Sequence, residues 1–336
     1  MKKILALALA LCMLLACITG CASTNEPAAQ ATPTPEAAEE KVTIRVGAMT
    51  GPTGMGLVKL MSDSDAGLTE NSYEFTLQSE ASAFAAALAK GEVDIAAIPA
   101  NLASVIYNNT DGAVKLLAIN ALGVLYIVER GDSVNSLADL SGKTLYATGE
   151  GAAPEYALRY LLDKNGIEGD AMPDIRWCAD TTEALSYVSA DENAIAMLPQ
   201  PFVTAAQSKV EGLRVAIDLN AAWKEASGES MVTGVLAVRG EFAEKYPQQL
   251  ARFMQEYESS VTFVQENNAE AAELIAQYGI VAAAPIALKA LPACNIAFIA
   301  GADMKAAMEQ YLTALEALNP AAIGGQLPAD DFYYGE

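Results

Sequence analysis

The residues of this chain best suited to chemistry sit in short loops between apolar runs. They are Thr50-Gly51-Pro52-Thr53-Gly54, Gln78-Ser79-Glu80, Pro99 with Asn101, Thr148-Gly149-Glu150-Gly151, and Gln200 between two prolines. Asn120 and Thr233 stand at two further turns. Glycine lets backbone approach a ligand closely, and Thr, Asn and Gln side chains donate and accept hydrogen bonds. Tyr126, Tyr156, Phe202 and Trp223 offer faces for stacking on a planar molecule, and serve equally as core packing. The loops also have a plain structural use, as turns and helix N-caps. Together these groups support noncovalent capture of a small molecule. The 336 residues contain no histidine, which removes histidine triads, histidine-ligated zinc and imidazole acid–base chemistry. No catalytic residue, metal site or cofactor is expected.

None of these loops contains Lys or Arg, which disfavours a sulfate-like or phosphate-like ligand. Glu80 and Glu150 are placed to hold an amine or a ring N–H, or to lie solvated at the surface. The preferred ligand is therefore a small neutral or cationic heterocycle, such as a vitamin precursor. Across the chain 20 basic residues face 42 acidic ones, a net charge of −22 that repels nucleic acid and anionic lipid. Only Cys178 and Cys294 of the five cysteines fall in the body of the chain, too few for a four-cysteine metal site or a disulfide scaffold. They are expected as two buried thiols.

The elements that must position these loops follow from residue patterning. With 52% hydrophobic residues the chain can bury a substantial core. Strands are predicted at Val42–Ala48, Tyr73–Leu77, Val93–Ile98 and Val114–Asn120, with helices at Met55–Ser62, Ser82–Lys90 and Leu102–Asn108 between them. The same rhythm restarts with strands at Lys143–Ala147, Asp174–Cys178, Ala194–Leu198 and Leu213–Ile217. Helices over Ala153–Asn165, from a capping box at Asp180 to Ala190, and over Phe202–Lys209 alternate with them. Alternation of this kind implies mostly parallel sheets flanked by helices, whose ligands lie beyond the carboxyl ends of the strands. Leu125–Arg130 and Val232–Arg239 are predicted as two crossings between the α/β units. Beyond Gly240 the pattern is helical, over Glu241–Asn267, Ala269–Tyr278, Pro285–Leu291 and Asp303–Leu318.

The start of the chain reads as an export leader. Lys2 and Lys3 precede an apolar run from Ile4 to Ile18 that is too short for a span of ~20 residues. Ile18-Thr19-Gly20-Cys21 resembles a bacterial lipobox, which implies cleavage before Cys21 and a diacylglycerol on its sulfur. Two acyl chains anchor a protein stably. Residues 21–41 then read as a disordered tether, proline-bearing and poor in large apolar residues, with a reach of ~25 Å.

Three stretches carry a wider resemblance. Leu137–Leu145 (LADLSGKTL) is similar to the segment that opens the second lobe of bacterial solute-binding proteins of ABC importers. Ala87–Ala96 (ALAKGEVDIA) resembles the step into their third strand, and Tyr246–Phe253 (YPQQLARF) the helix after their return crossing. The nearest branch contains nitrate, sulfonate and thiamine-precursor binders. The resemblance implies a type II periplasmic-binding-protein-like fold in two lobes, with 42–124 and 235–336 forming one and 125–234 the other. It implies two hinge crossings, a solute held in the cleft, delivery to ABC permease subunits, and no enzymatic step. The expected protein is a monomer, exported and lipid-anchored to the outer face of the cytoplasmic membrane, or periplasmic in a cell with two membranes; the alternative roles are ligand sensing without transport and an enzyme on the same fold. Gly142-Lys143-Thr144 is not a phosphate loop, because Leu137 stands where that loop needs its first glycine.

Overall fold

A computed structural model describes residues 42–335 of the chain. The leader, Cys21 and the whole expected tether over 21–41 lie outside the described residues. The first α/β unit starts with β1 (Thr43–Met49), where Ile44 and Val46 point into the core. It continues through α1 (Pro52–Met55), α2 (Val58–Asp65), β2 (Ser72–Gln78), α3 (Ala81–Lys90), β3 (Ile95–Pro99), α4 (Ala100–Asn109) and β4 (Val114–Leu122). The chain then crosses into β5 (Leu125–Glu129), β6 (Thr144–Ala147), α5 (Ala153–Lys164), β7 (Asp174–Trp177), α6 (Thr181–Ala190), β8 (Ile195–Pro199), α7 (Phe202–Gln207), β9 (Arg214–Asp218) and α8 (Leu219–Ser227). It returns through β10 (Val232–Arg239), α9 (Gly240–Lys245), α10 (Pro247–Glu266), α11 (Asn268–Gln277), α12 (Ala284–Ala290), β11 (Ile296–Ile299) and α13 (Gly301–Leu318).

The strands form two sheets, ordered β11-β4-β10-β3-β1-β2 and β7-β6-β8-β5-β9. In the first, β1 to β4 run one way and β10 and β11 the other. In the second, β6 to β9 run one way and β5 is reversed. The order β2-β1-β3-β10-β4 is thus repeated as β7-β6-β8-β5-β9. Matched strands even share a pattern: Ile95-Ala96-Ala97-Ile98-Pro99 in β3 and Ile195-Ala196-Met197-Leu198-Pro199 in β8.

Each expected crossing is therefore more than a connection. Val232–Arg239 is laid between β3 and β4, and Leu125–Glu129 between β8 and β9, each as an antiparallel strand within its sheet. Two elements depart from the sequence pattern. α8 and β11 form where no helix or strand was expected, α8 opening on Asp218, whose carboxylate accepts from Asn220 N and Ala221 N at 2.8 and 3.2 Å. The helix expected over Glu241–Asn267 breaks at Tyr246 (φ −128°, ψ 53°), because the residue before Pro247 is excluded from the helical region.

Buried carboxylates hold the far ends of the reversed strands. Asp94, just before β3, accepts from Arg45 N (3.1 Å), Arg45 Nε (2.9 Å) and Arg45 Nη2 (2.6 Å) on β1, and from Arg239 Nη2 (3.1 Å) on β10. Glu129, at the end of β5, accepts from Ser133 N and Val134 N at 3.0 Å each, from the Ser133 hydroxyl at 2.7 Å, and from Arg214 on β9. Burial alone would raise the Glu129 pKa. The Ser133 hydroxyl, the Val134 and Ser133 N–H groups and the Arg214 charge outweigh burial and hold it below the usual carboxylate value.

The motif residues that carried the resemblance turn out to build this scaffold. Asp94 is the acid of GEVD, and Asp139 of LADLSGK accepts from Asn135 N and Ser136 N at 2.9 and 2.8 Å to cap a short turn. The two units also share apolar core. Trp223 of α8 lies between Tyr160 of α5 (ring centroids 4.2 Å) and Tyr311 of α13 (5.8 Å), and α13 reaches on to β4. Cys178 and Cys294 are both free and buried, and burial pushes the Cys294 thiol up to about 12.

Removing one partner from these clusters should be costly. Asp94→Ala is expected to lose about 2–3 kcal/mol in urea unfolding, less than a wholly buried pair because both arginines reach solvent. An unchanged midpoint would refute the clamp. Because the folded pKa of Glu129 is depressed, its contribution is full above the unfolded value of about 4.3 and is lost as pH falls through the folded value. Glu129→Gln should therefore unfold more readily than wild type at pH 6, with the gap narrowing on acidification. A constant gap would show that its charge is not involved.

Candidate functional site

The carboxyl ends of the parallel strands in both sheets meet at the crossings. β4 ends at Leu122, and β5 begins at Leu125 directly opposite Pro199, the last residue of β8. The return strand β10 begins beside the same ends, with Gly234 opposite Pro99 of β3 and Ala121 of β4. The junction is tied by Asn295 Nδ2, which donates to Gly123 O at 2.5 Å, and by Asn220 Oδ1, which accepts from Met231 N at 3.2 Å.

On the first rim, the loops expected to hold ligand come together. Thr50 N donates to Gln78 O at 3.0 Å, joining the loops after β1 and β2. Gly51 turns the chain into α1 at φ 98°, a conformation that side-chain-bearing residues rarely adopt. Thr53 is buried, and its carbonyl accepts from Asn120 Nδ2 at 2.9 Å. Pro99 opens α4, and Ser79 and Glu80 are exposed at the start of α3. Thr233 is half-buried beside Gly234.

The second rim carries Thr148, Gly149, Glu150 and Gly151 after β6 and Gln200 after β8. Cys178 N donates to Ala147 O at 2.8 Å and Gln200 N to Val124 O at 2.9 Å, so the ends of β6, β7 and β8 lie side by side next to the crossing. Glu150 and Gly151 are exposed, and Gly151 N donates to Glu155 Oε2 at 2.7 Å. No Lys or Arg belongs to either set of loops.

Other candidates are occupied by packing. Tyr126 is buried, with its hydroxyl donating to Ala293 O at 2.9 Å. Tyr156 is buried too; its hydroxyl donates to Gly151 O at 3.2 Å and accepts from Asn319 Nδ2 at 2.9 Å. Trp223 is enclosed by its aromatic neighbours, and Phe202 packs beside the second-sheet core. Asn101 Nδ2 donates to Ala322 O at 3.1 Å, which commits its amide to the C-terminal segment. The ties of Tyr126 to Ala293, Tyr156 to Asn319 and Asn101 to Ala322 span more than 160 positions, out of reach of local pattern.

Gly234, which follows Thr233 on the return, and Tyr257, which sequence reasoning passed over, complete the first rim. A Cβ on Gly234 would lie 2.3 Å from Thr53 Cγ2 and 2.5 Å from Asn120 Oδ1, so only glycine lets β10 pass this close. Tyr257 of α10 is wholly buried beside the Asn120 amide. Burial raises its pKa, against a smaller lowering from that amide. The Tyr257 hydroxyl and Asn120 Oδ1 are enclosed without a well-formed hydrogen bond among the described residues. No sequence signal joins Tyr257 to Asn120, which lie 137 positions apart. A groove of about 400 Å³ exists elsewhere, lined by Val114, Arg239 and Glu241 at the opposite end of the first sheet from these loops.

Two substitutions check this geometry. Gly234→Ala should cost about 1–3 kcal/mol and speed amide hydrogen exchange in the Gly51–Gly54 loop, since Thr53 must move. Unchanged exchange there would disprove the close packing. Tyr257→Phe removes an unpaired buried hydroxyl and should be neutral or stabilising by up to ~1 kcal/mol. A loss above ~2 kcal/mol would mean that the hydroxyl is well bonded.

The comparisons with known proteins agree with this architecture. Residues 69–290 match a family model described as ABC transporter, phosphonate, periplasmic substrate-binding protein. An ABC transporter protein from Parabacteroides distasonis is similar at 24% identity and TM-score 0.74, over 87% of this chain and 98% of that one. The periplasmic aliphatic sulphonate binding protein of Escherichia coli is similar at 16% identity and TM-score 0.68, over 83% and 93%. An alkanesulfonate-binding protein from Xanthomonas axonopodis pv. citri, bound to MOPS, follows at 14% identity and TM-score 0.61, over 87% and 96%. No curated protein matches the sequence at a significant level. At these identities the solved structures speak for the fold. The family match covers more than half of the chain, and the protein belongs to the phosphonate-type family of periplasmic substrate-binding proteins of ABC transporters, which capture a small molecule for import.

Proposed function

We propose that this protein is a membrane-tethered capture module for a small neutral or cationic heterocycle. Cys21 carries the lipid anchor and residues 21–41 form the tether. One lobe comprises 42–124 and 235–336, the other 125–234, and they close on solute held between the strand-end loops. The closed complex then docks, as a monomer, on the permease of an ABC importer. The observation that carries this reading is the meeting of both sets of strand-end loops at the two crossings, where a modest rotation changes the gap between them. Solute that touches both rims favours the closed state by the free energy of its contacts there.

The ligand class rests on charge. A sulfonate or phosphonate would have only helix ends and neutral donors in these loops, whereas Glu80 and Glu150 are exposed carboxylates available to an amine or ring N–H. The sulfonate-binding relatives share the fold at 14–16% identity, which does not carry their ligand across.

Mass spectrometry of solute released by denaturing the purified protein should find a neutral or cationic ring compound. Adding that compound back should raise the melting temperature and shrink the radius of gyration in small-angle scattering. Stabilisation without compaction would refute closure, and release of a multiply charged anion would refute the ligand class. Cys21→Ser should move the protein from the membrane fraction to the medium or periplasm; retention on the membrane would exclude the proposed anchor.

A further inference from the structure

Gln200 is a side chain whose orientation the structure settles. It stands immediately beyond Pro199 at the end of β8, next to the crossing, and is only 5% exposed. Its Oε1 accepts from Thr204 N at 3.2 Å and from the Thr204 hydroxyl at 2.9 Å. The Thr204 backbone N–H can only donate, so the opposite amide assignment would set N–H against N–H. The carboxamide is thereby locked with its NH₂ group turned away from α7.

Nothing among the described residues accepts from that NH₂ group. Side-chain atoms that are both enclosed and unpartnered are Asn120 Oδ1, Arg130 Nε, Arg239 Nε and Tyr257 Oη. Gln200 Nε2 is not one of them, so it keeps contact with solvent at the second rim. A pair of donors held by a buried side chain beside the crossing, with no protein acceptor among the described residues, suits an acceptor on a ligand.

We infer that Gln200 is a specificity-determining ligand contact, and that the solute presents a hydrogen-bond acceptor to its NH₂ group. This rests on the capture reading above and narrows it: a heterocycle qualifies only if it bears a carbonyl oxygen or an unprotonated ring nitrogen. A purely cationic donor, such as a diamine, is excluded. An acid oxygen shares the acceptor chemistry, and the experiment separates the two sources.

The test is isothermal titration of wild type, Gln200→Glu and Gln200→Met with four probes. Nicotinamide is a neutral acceptor, ethanesulfonate and methylphosphonate are anionic acceptors, and putrescine is a donor without an acceptor. Glu keeps the oxygen that Thr204 bonds but removes the donor pair, so its melting temperature should stay close to wild type. At least one acceptor-bearing probe should bind wild type and weaken roughly tenfold or more in Gln200→Glu, with a comparable loss in Gln200→Met. Loss in Gln200→Glu for the anions only, with Gln200→Met unaffected, would reveal charge repulsion and overturn the inference. Equal binding of an acceptor probe by all three proteins, or binding of putrescine alone, would overturn it too. Scattering on the same samples separates the two levels. A probe that compacts every variant equally leaves capture standing without Gln200, whereas a probe that binds wild type without compaction removes both.

Discussion

Each sheet of this protein takes in a crossing strand that runs against its β1–β4 or β6–β9 neighbours, and the position of the candidate site depends on those two strands, β10 and β5, staying in register. β5 and β10 carry the chain out of the two crossings, and both run from the junction towards the far end of a sheet. A slip of one residue in either would turn its side chains to the opposite face and move Gly234 or Leu125 away from the neighbouring strand end. At the far ends, Asp94 binds β1, β3 and β10 into one cluster, and Glu129 binds β5 to β9 and the following turn. Charge buried in this way adds little net stability over a well-packed apolar group. What it supplies is a penalty for any pairing that separates the carboxylate from its arginine, which is a means of fixing register.

At the near end, register is expressed as close packing. Gly234 passes within a methyl's width of Thr53 and Asn120, and Asn120 in turn holds the Thr53 carbonyl. The loop after β1 is therefore attached to β4 and β10, the two strands that lead into the crossings. Movement at the junction and movement of that loop are mechanically linked through one amide. The opposite rim has its own fixed amide in Gln200, held by Thr204. Asn and Gln serve well here because each has one group to anchor the side chain and another left over, and neither brings a charge that must be neutralised.

The two halves are not joined by the crossings alone. Helix α13 packs against β4 on one side and α5 on the other, and Trp223 sits in a continuous apolar layer between them. Tyr126 reaches Ala293 and Tyr156 is held by Asn319, so the tyrosines that resemble stacking platforms in the sequence serve as ties across the molecule. An aromatic ring with a polar tip suits such a place, since its body fills core volume and its hydroxyl pairs with a backbone or amide group.

Much of this was legible along the chain. The alternation of β-rich and helical runs specified the strand–helix units, because period-two and period-3.6 burial are properties of neighbouring residues. Glycine- and hydroxyl-bearing loops after β1 and β6, and the proline-flanked Gln200 after β8, were visible as candidate rims for the same reason, and the absence of histidine bounded the chemistry without any structure at all. Short-range patterning does not encode which strand lies beside which. That β5 and β10 would be inserted as reversed strands, that Asp94 would face Arg239, that Asn120 would meet Tyr257, and that Tyr126 would be spent on Ala293 were decided only when distant segments packed. The physical reason is that burial and hydrogen-bond pairing are set by the whole core, whereas a local pattern specifies only the face each residue presents.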